Sequence, residues 1–327
     1  MITGDIANPI LFDPISDGAD KLYILSSYAT PNMASWYMKQ LQDKNTAPID
    51  ISIIVGMTSY DGISVPAHQG FTSLHNRYTS KSVHSFGCNY ISDNPPEHSN
   101  LYIWLKDKTP VLAFTGSADF TQNAFISSRR EVMETCSAEQ AYDYYTEAES
   151  RSCFCSHSEI EDMIVISNKH PIFDDETKLI SDISGGTIES VKLSLLTGKG
   201  IIGETSGLNW GQRKKRNPNE AYIRIPINVA RQEFFPVDRH FTVITDDGYH
   251  LILRVEQQNN KALTTPMSNS LLGEYFRKRL GLSNGQKIQT EDLINYGRTD
   301  VVFARIDEEL YYMDFSPIKS MVKSNGR

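Results

Sequence analysis

The segment HSNLYIWLKDKTPVLAFTGSADFTQNAFISSRREVME, residues 98–134, decides how the chain is interpreted. Two apolar runs, LYIWL and VLAFTGSA, stand on either side of the charged sequence KDKTP. This pattern predicts a strand, a turn and a second strand. Because side chains alternate along a strand, we expect His98, Asn100 and Tyr102 on one face, where a ligand that meets one of them meets the others.

The second apolar run ends at small residues. Gly116 and Ser117 predict close approach to an anion through exposed N–H groups and a hydroxyl, which is what a phosphate needs. Glu131 follows on a later element. A histidine such as His98, taken alone, is usually only a polar residue where a strand begins. The glycine, the serine and the carboxylate that follow it in order favour a phosphate site over that simpler interpretation.

The segment resembles the half-site of the phospholipase D superfamily, whose pattern is His-x-Lys followed by Gly-Ser-x-Asn. More narrowly, HS-LYIW, FTGSA-FTQNAF and REVME are similar to the metal-independent restriction endonucleases of the BfiI and NgoFVII type. Asn100 stands at the position of the family's lysine, and Asp119 at that of its asparagine. Both positions help to hold the phosphate in the family, so these residues are expected to weaken binding of a dianionic transition state. Either the protein tolerates these changes, for example through Lys106 or Lys108, or the chain is an inactivated variant, natural or engineered.

The resemblance implies a mechanism without metal or other cofactor. A neutral histidine attacks phosphorus to give a phosphohistidine, and a second histidine protonates the leaving oxygen. One chain supplies one such histidine, so two chains are expected to form a symmetric homodimer through their N-terminal domains, each giving His98 to a shared site. The resemblance also implies that Ser117 binds the phosphate and that Glu131 orients the histidine.

The resemblance further implies partners beyond DNA. Some relatives with this layout work with a separate helicase-like ATPase subunit, and a cognate DNA methyltransferase is the usual companion of a restriction enzyme. This chain has no G-x-x-x-x-G-K-S/T motif, so ATP would enter only through such a partner.

The chain has 327 residues, enough for two domains that each bury a core, and a formal net charge of −8 at pH 7. Its hydrophobic content of 39% is that of a soluble globular protein, and no apolar run is long enough to span a bilayer. The first residues lack the pattern of a secretory signal, so we expect a cytoplasmic protein with no membrane partner. Four cysteines without zinc-type spacing are expected to be free thiols, although Cys153 and Cys155 could hold a soft metal.

The first half of the chain predicts an α/β domain. Strands are expected in KLYILSS, residues 21–27, and in DISIIVGMTS, residues 50–59, with a helix from Pro31 between them. This order favours a parallel pair of strands in a sheet flanked by helices. With the resemblance, it predicts a phospholipase-D-like nuclease domain at residues 1–170, followed by a linker at residues 171–190.

From residue 191 onward, short β-like runs alternate with turn signals, which predicts a small barrel or sandwich. Asp247-Gly248 is a strong hairpin signal. Between residues 199 and 280 there are 13 Lys and Arg against 8 Asp and Glu, so this region is basic within an acidic chain. Double-stranded DNA, with its dense negative charge, is the partner that such a region favours.

The motifs LNWGQR, FFP, DDG, N-KAL and LG-YFR-RLG resemble the B3-like pseudobarrel that is the specificity domain of BfiI, EcoRII and NgoFVII-type restriction enzymes. The resemblance implies a mainly β, B3-like DNA-binding domain at residues 191–327. Arginine suits guanine, Asn and Gln suit adenine, and lysine suits phosphate. The predicted DNA contacts are Asn209, Trp210, Gln212, Arg213, Lys214, Lys215, Arg216, Asn269, Ser270, Arg277 and Arg279.

These features predict a type II-like restriction endonuclease that recognises a short double-stranded DNA sequence and hydrolyses phosphodiester bonds through a histidine nucleophile. Asn100 and Asp119 leave an alternative, which is a catalytically impaired variant that acts as a sequence-specific DNA-binding protein. A lipid-directed phosphodiesterase is disfavoured, because the C-terminal arms are basic and no amphipathic stretch suits a membrane surface.

Overall fold

A computed structural model describes residues 1–78, 83–127, 129–167, 179, 181–183, 185–258 and 260–318. The chain divides into two compact units, Met1–Pro171 and Ile172–Arg327, and each has its own sheet. Half of the predicted linker 171–190 lies outside the described residues, so the predicted domain boundaries stay a prediction. No helix in the described parts of the chain has the length and apolar character needed to cross a membrane.

The strands of the N-terminal unit are β1 Ile2–Thr3, β2 Lys21–Ser26, β3 Asp50–Val55, β4 Ile63–Ser64, β5 Ser85–Ile91, β6 Leu101–Lys106, β7 Thr109–Gly116, β8 Val132–Cys136, β9 Ser152–Phe154 and β10 Ile166–Ser167. Eight of them form one sheet in the order β1-β8-β7-β6-β2-β3-β5-β9. β2, β3 and β5 run parallel, and the other neighbours are antiparallel. The predicted parallel pair is therefore confirmed.

The helices of this unit are a π-helix at Asn8–Phe12, α1 Asp13–Ser16, α2 Pro31–Asp43, α3 Thr58–Asp61, α4 Val65–Tyr78, α5 Gln122–Phe125, α6 Ala138–Ser150 and α7 Ile160–Met163. Alternate side chains of β6 point to opposite faces of the sheet. Ile103 and Leu105 belong to a core cluster that includes residues of α6. Trp104 points the other way and donates a hydrogen bond to the Ile10 carbonyl of the π-helix. The predicted sheet flanked by helices is confirmed.

The predicted hairpin at residues 98–117 is confirmed as the pair β6 and β7. Asp107 and Lys108 both have positive φ angles, 48° and 69°, as a tight turn between twisted strands requires. Gly116 ends β7 where the sheet leaves no room for a side chain. A Cβ atom there would lie 2.1 Å from the Val132 carbonyl oxygen of β8. Packing between strands is therefore one reason for the glycine.

The strands of the C-terminal unit are β11 Ser190–Ser194, β12 Ile223–Arg224, β13 His240–Thr245, β14 His250–Glu256, β15 Ala262–Thr264, β16 Asp300–Arg305 and β17 Leu310–Asp314. They form one sheet in the order β11-β16-β17-β13-β14-β15-β12, in which β13 and β17 are parallel. The end strands β11 and β12 lie against each other without pairing, so the sheet is a nearly closed barrel. The predicted small barrel and the Asp247-Gly248 hairpin are confirmed.

The remaining helices of this unit are a 3-10 helix at Gly207–Gln212, α8 Ile227–Arg231, α9 Ser270–Arg279 and α10 Thr290–Tyr296. The barrel interior is aromatic and aliphatic. Phe241 and Tyr311 pack with ring centroids 4.7 Å apart, and Phe235 stacks on Phe241. Helix α9 ends shortly before Gly281, which has a φ of +70°.

Candidate active site and candidate DNA-binding surface

Asn100 ties together three strand ends in the N-terminal unit. Its Oδ1 accepts hydrogen bonds from the Ser26 hydroxyl (3.0 Å) and the Ser27 N–H (3.1 Å) at the end of β2. Its Nδ2 donates to the Ser117 carbonyl, 3.4 Å away, just after β7. The side chain is buried, and these bonds use the amide at both ends. Asn100 therefore joins the strand ends that form the site. This structural role differs from the phosphate-binding role that the resemblance implies for this position.

His98 is exposed and lies just before β6, which begins at Leu101. Its imidazole meets the ring of Tyr28 edge to face, with centroids 6.3 Å apart. The preceding residue anchors the segment, because Glu97 is buried, pairs with Arg151 and accepts a hydrogen bond from the Tyr144 hydroxyl at 2.7 Å. The imidazole of His98 is therefore accessible to solvent, and the residue before it is anchored.

Tyr28 is a site residue that the sequence analysis missed. Its hydroxyl donates to Asp61 Oδ2 at 2.7 Å, and its backbone N–H donates to Asp119 Oδ1 at 3.4 Å. The hydrogen bond to Asp61 is the main reason that the pKa of Tyr28 is raised. The signal in the sequence was the SSY that ends β2, but only the fold brings it to His98.

Ser117 and Glu131 form a second bonded group in the site. The Ser117 hydroxyl donates to Glu131 Oε2 and accepts from the Val132 N–H at 3.0 Å. The Ser117 N–H donates to the Val132 carbonyl, also at 3.0 Å, so the expectation of a free N–H for an anion is wrong at this residue. Glu131 is buried, and its other oxygen pairs with Arg129 Nε at 3.3 Å. Its partners are therefore Ser117 and Arg129, and the predicted contact that orients His98 is not present.

Asp119 adds a half-buried carboxylate to the same site. Desolvation raises its pKa above the ordinary value, and the charge of Glu131 acts in the same direction. The Tyr28 N–H, Asn100 and His98 oppose that shift without cancelling it. The carboxylate of Asp119 near the imidazole, with that of Glu131 on Ser117, makes the site unfavourable for a phosphate unless a cation comes near.

The predicted compensation by Lys106 or Lys108 is wrong. Both lie at the turn end of the β6–β7 hairpin, whereas His98 and Ser117 lie at its other end. Six residues of strand separate the two ends by roughly 17 to 20 Å, beyond the reach of a lysine. Lys106 instead contacts the Asp17 carbonyl at 3.4 Å.

The residues described by the structure contain no group of three His, Cys, Asp or Glu side chains that could hold a metal ion. The four cysteines are free thiols, as predicted. Burial raises the pKa of Cys153, and of Cys88 well above the ordinary value. This disfavours the thiolate that a soft metal needs at Cys153.

Several predicted DNA contacts in the C-terminal unit are instead internal. Asn209 is fully buried; its Nδ2 donates to the Gly203 and Ile288 carbonyls, and its Oδ1 accepts from the Ile288 N–H at 2.9 Å. Gln212 donates to two main-chain carbonyls, those of Pro218 and Gly285, each at 3.1 Å. Their amides are satisfied by the main chain, so the prediction that they face bases is corrected.

Arg277 and Arg279 are also structural. Arg277 is fully buried and donates to four main-chain carbonyls, those of Gly273, Gln286, Pro218 and Leu208, and burial lowers its pKa. Arg279 pairs with Asp246 and Asp247 and lies among aromatic rings. Ser270 is buried at the start of α9. The predicted DNA contacts Arg277 and Ser270 are therefore corrected because they are buried, and Arg279 because it pairs with two carboxylates.

The remaining predicted contacts are not buried. Arg213, Lys214, Lys215 and Arg216 are exposed. Arg213 donates through Nε to the Thr205 carbonyl at 2.8 Å. Arg216 lies over the ring of Trp210, 3.8 Å from its centroid, and pairs with Glu220. Asn269 is half-buried and precedes α9. This group stays a predicted DNA-binding surface, called the basic loop below for residues 213–216.

Comparison with known proteins adds the family. The NgoFVII restriction endonuclease N-terminal PLD domain matches residues 4–162, and the NgoFVII C-terminal B3-like DNA-binding domain matches residues 183–307. No curated protein sequence matches the chain. Among solved structures, NucT from Helicobacter pylori is 16% identical, with a TM-score of 0.31, over 45% of this chain and 90% of its own. Nuc from Salmonella typhimurium, a phospholipase D family member, is 15% identical, with a TM-score of 0.32, over 47% of this chain and 95% of its own.

The two family matches together span most of the 327 residues, in the order that the two units have along the chain. The predicted phospholipase-D-like fold and B3-like pseudobarrel are thereby confirmed. The chain belongs to the NgoFVII family of restriction endonucleases, with a phospholipase D nuclease domain followed by a B3-like DNA-binding domain.

Proposed function

We propose that this protein cleaves double-stranded DNA near a short recognition sequence, without metal, through His98 as the nucleophile. The observation that carries the proposal is the exposed imidazole of His98 beside Tyr28 and Asp119, on a segment that Glu97 anchors. A nucleophile must be accessible and positioned, and the exposure of His98 together with the anchoring of its segment by Glu97 supports this role.

The proposed reaction has two displacement steps. A neutral His98 nitrogen forms a bond to phosphorus while the bond to the leaving DNA oxygen breaks, and His98 of a second chain gives that oxygen a proton. Water then attacks the phosphohistidine, the second histidine accepts the water proton, and the nitrogen–phosphorus bond breaks. We propose a homodimer through the N-terminal domain for this reason, because one chain supplies one such histidine.

We propose that Ser117 and Glu131 act on the phosphate together. The Ser117 hydroxyl donates its hydrogen bond to Glu131, so it can donate to a phosphate oxygen only by turning away from that carboxylate. Glu131 therefore sets the position of the serine in the free protein. The basic loop would contact the DNA, and Arg213 is its best candidate for base recognition, because its Nε donates to a carbonyl and its terminal nitrogens have no hydrogen-bond partner among the residues that the structure describes.

A second function is supported by a separate observation. The cation that the family has at position 100 is replaced by a buried Asn100, and Asp119 adds negative charge where a phosphate would bind. A chain in this state could bind its DNA sequence and cleave it slowly or not at all. The second proposal is thus a sequence-specific DNA-binding protein with impaired catalysis.

One experiment separates the two functions. Supercoiled plasmid is incubated with the full chain in EDTA, with and without ATP, alongside His98→Ala, and binding to a set of duplexes is measured in parallel. Cleavage that His98→Ala abolishes supports the nuclease; sequence-selective binding without cleavage supports the second function. Cleavage that survives His98→Ala would reject the histidine mechanism. We further propose a cytoplasmic location. We also propose a helicase-like ATPase subunit and a DNA methyltransferase as companions, which co-purification from the native host would test.

A further inference from the structure

The proposed reaction lacks a cation at the place where the family has a lysine. A phosphate between His98 and Ser117 would meet the carboxylates of Asp119 and Glu131, and the transition state carries more charge than the ground state. The two lysines of the β6–β7 turn are too far away, as shown above. An active site therefore needs a cation from another element.

Arg129 lies in the right place on the segment between α5 and β8. Its Nε pairs with Glu131 Oε1 at 3.3 Å, and Glu131 is bonded through its other oxygen to Ser117. Ser117 in turn accepts from Asn100 through its carbonyl. A chain of direct contacts thus runs from the guanidinium to the residues that surround the imidazole.

The guanidinium of Arg129 is held on one side and open on the other. Its side chain is 65% exposed, and the terminal nitrogens contact no other residue that the structure describes. A planar guanidinium whose two terminal nitrogens are free can bind two phosphate oxygens side by side, a planar bidentate geometry that a lysine ammonium does not offer. The Glu131 carboxylate fixes its orientation and leaves the donors that a phosphate requires.

An open cavity of about 720 Å³ adjoins this guanidinium. Its lining includes Arg129, Arg130 and Glu131 as well as Trp36 and Lys44 of the α2 region. Further cations and an aromatic ring suit the phosphate and the base of a nucleotide next to the one that is cut. The cavity gives a DNA strand room to pass beside Arg129.

We propose that Arg129 is the phosphate-binding cation of this protein, in place of the lysine that relatives have at the position of Asn100, and that its ligand is a phosphodiester of the DNA strand in the adjoining cavity. The inference rests on the proposed function for the identity of the ligand. Glu131 then has a definite part, since it holds both Ser117 and Arg129. The cation is supplied by the segment before β8, and the amide at position 100 is free to join the strand ends.

The test compares Arg129→Ala, Arg129→Lys and the control Lys108→Asn in the full chain. Lys108→Asn removes one exposed positive charge at the far end of the hairpin, and asparagine tolerates the positive φ of that residue. Inorganic phosphate is the first probe, with affinity measured by calorimetry. The second probe is single-turnover cleavage of plasmid DNA in EDTA, and circular dichroism verifies that each variant is folded.

Arg129→Ala is expected to weaken phosphate binding by about 10- to 150-fold, the range for a hydrogen-bonded charged group. Arg129→Lys is expected to recover part of the affinity, and Lys108→Asn to match the parent. If the parent does not cleave DNA but Arg129→Ala still loses phosphate, the inference stands and the proposed nuclease function fails. Equal phosphate affinity of Arg129→Ala and parent would overturn the inference, as would a parent that binds no phosphate.

Discussion

The charge of Asp119 gives the sharpest prediction about catalysis. Asp119→Asn removes a negative charge beside His98 and keeps a side-chain oxygen that can accept from the Tyr28 N–H. The fold should therefore be preserved while the repulsion of a phosphate is lost. The resemblance described above implies asparagine at this position, so the substitution restores the residue that it implies.

The size of the effect follows from Coulomb's law. Two unit charges about 5 Å apart interact by about 3 kcal/mol at an effective dielectric constant of about 20. Asp119 is half-buried, and only the charge that develops in the transition state changes the rate. We therefore expect cleavage in EDTA to rise by roughly 10- to 100-fold, corresponding to about 1.4 to 2.7 kcal/mol.

The pH dependence provides a signature of the cause. Burial and the charge of Glu131 raise the pKa of Asp119, so the carboxylate becomes neutral as the pH falls through that raised value. Protonation of the parent then does what the substitution does. The ratio of the Asp119→Asn rate to the parent rate should be large at neutral pH and should approach one in acid.

The assay is single-turnover cleavage of plasmid DNA in EDTA, repeated across the pH range with both proteins. Bis-p-nitrophenyl phosphate serves as a substrate that does not depend on the recognition sequence. Asn100→Lys with Asp119→Asn should also raise cleavage, but it removes the amide that joins β2, β6 and β7, so its stability must be measured as well. A ratio near one at neutral pH, with a parent that cleaves at the rate of an ordinary restriction enzyme, would refute the reasoning.

Three further predictions concern the rest of the chain. Arg277→Met should lower the free energy of unfolding of the C-terminal unit by about 3 kcal/mol, because it removes the hydrogen bonds that the buried guanidinium donates to four main-chain carbonyls, whereas Arg213→Met, at the surface, should leave urea unfolding unchanged. Arg213→Ala should weaken binding to the recognition sequence much more than to random duplex; equal losses in a titration at fixed salt would show that Arg213 contacts only phosphate. Sedimentation should show a dimer at micromolar concentration, and a monomer with undiminished cleavage would contradict the shared site.

The local elements of this protein are present in its sequence. Alternating apolar residues give β6 and β7, and the charged turn between them gives the hairpin. The order of strand, helix and strand predicts the parallel pair β2 and β3. These patterns are determined by neighbours in the chain, and the resemblance of the same motifs to restriction endonucleases is confirmed by the two family matches.

The partners of the polar side chains are decided only by the tertiary structure. Asn209 and Arg277 are residue types that commonly contact DNA, yet in the fold both side chains point inward and donate to main-chain carbonyls. Lys106 is close to His98 in sequence but lies at the opposite end of the β6–β7 hairpin. Arg129 reaches Glu131, which is bonded to Ser117, because the segment before β8 places it there. Burial and hydrogen bonding depend on what distant elements place around a residue, and sequence spacing carries no information about that.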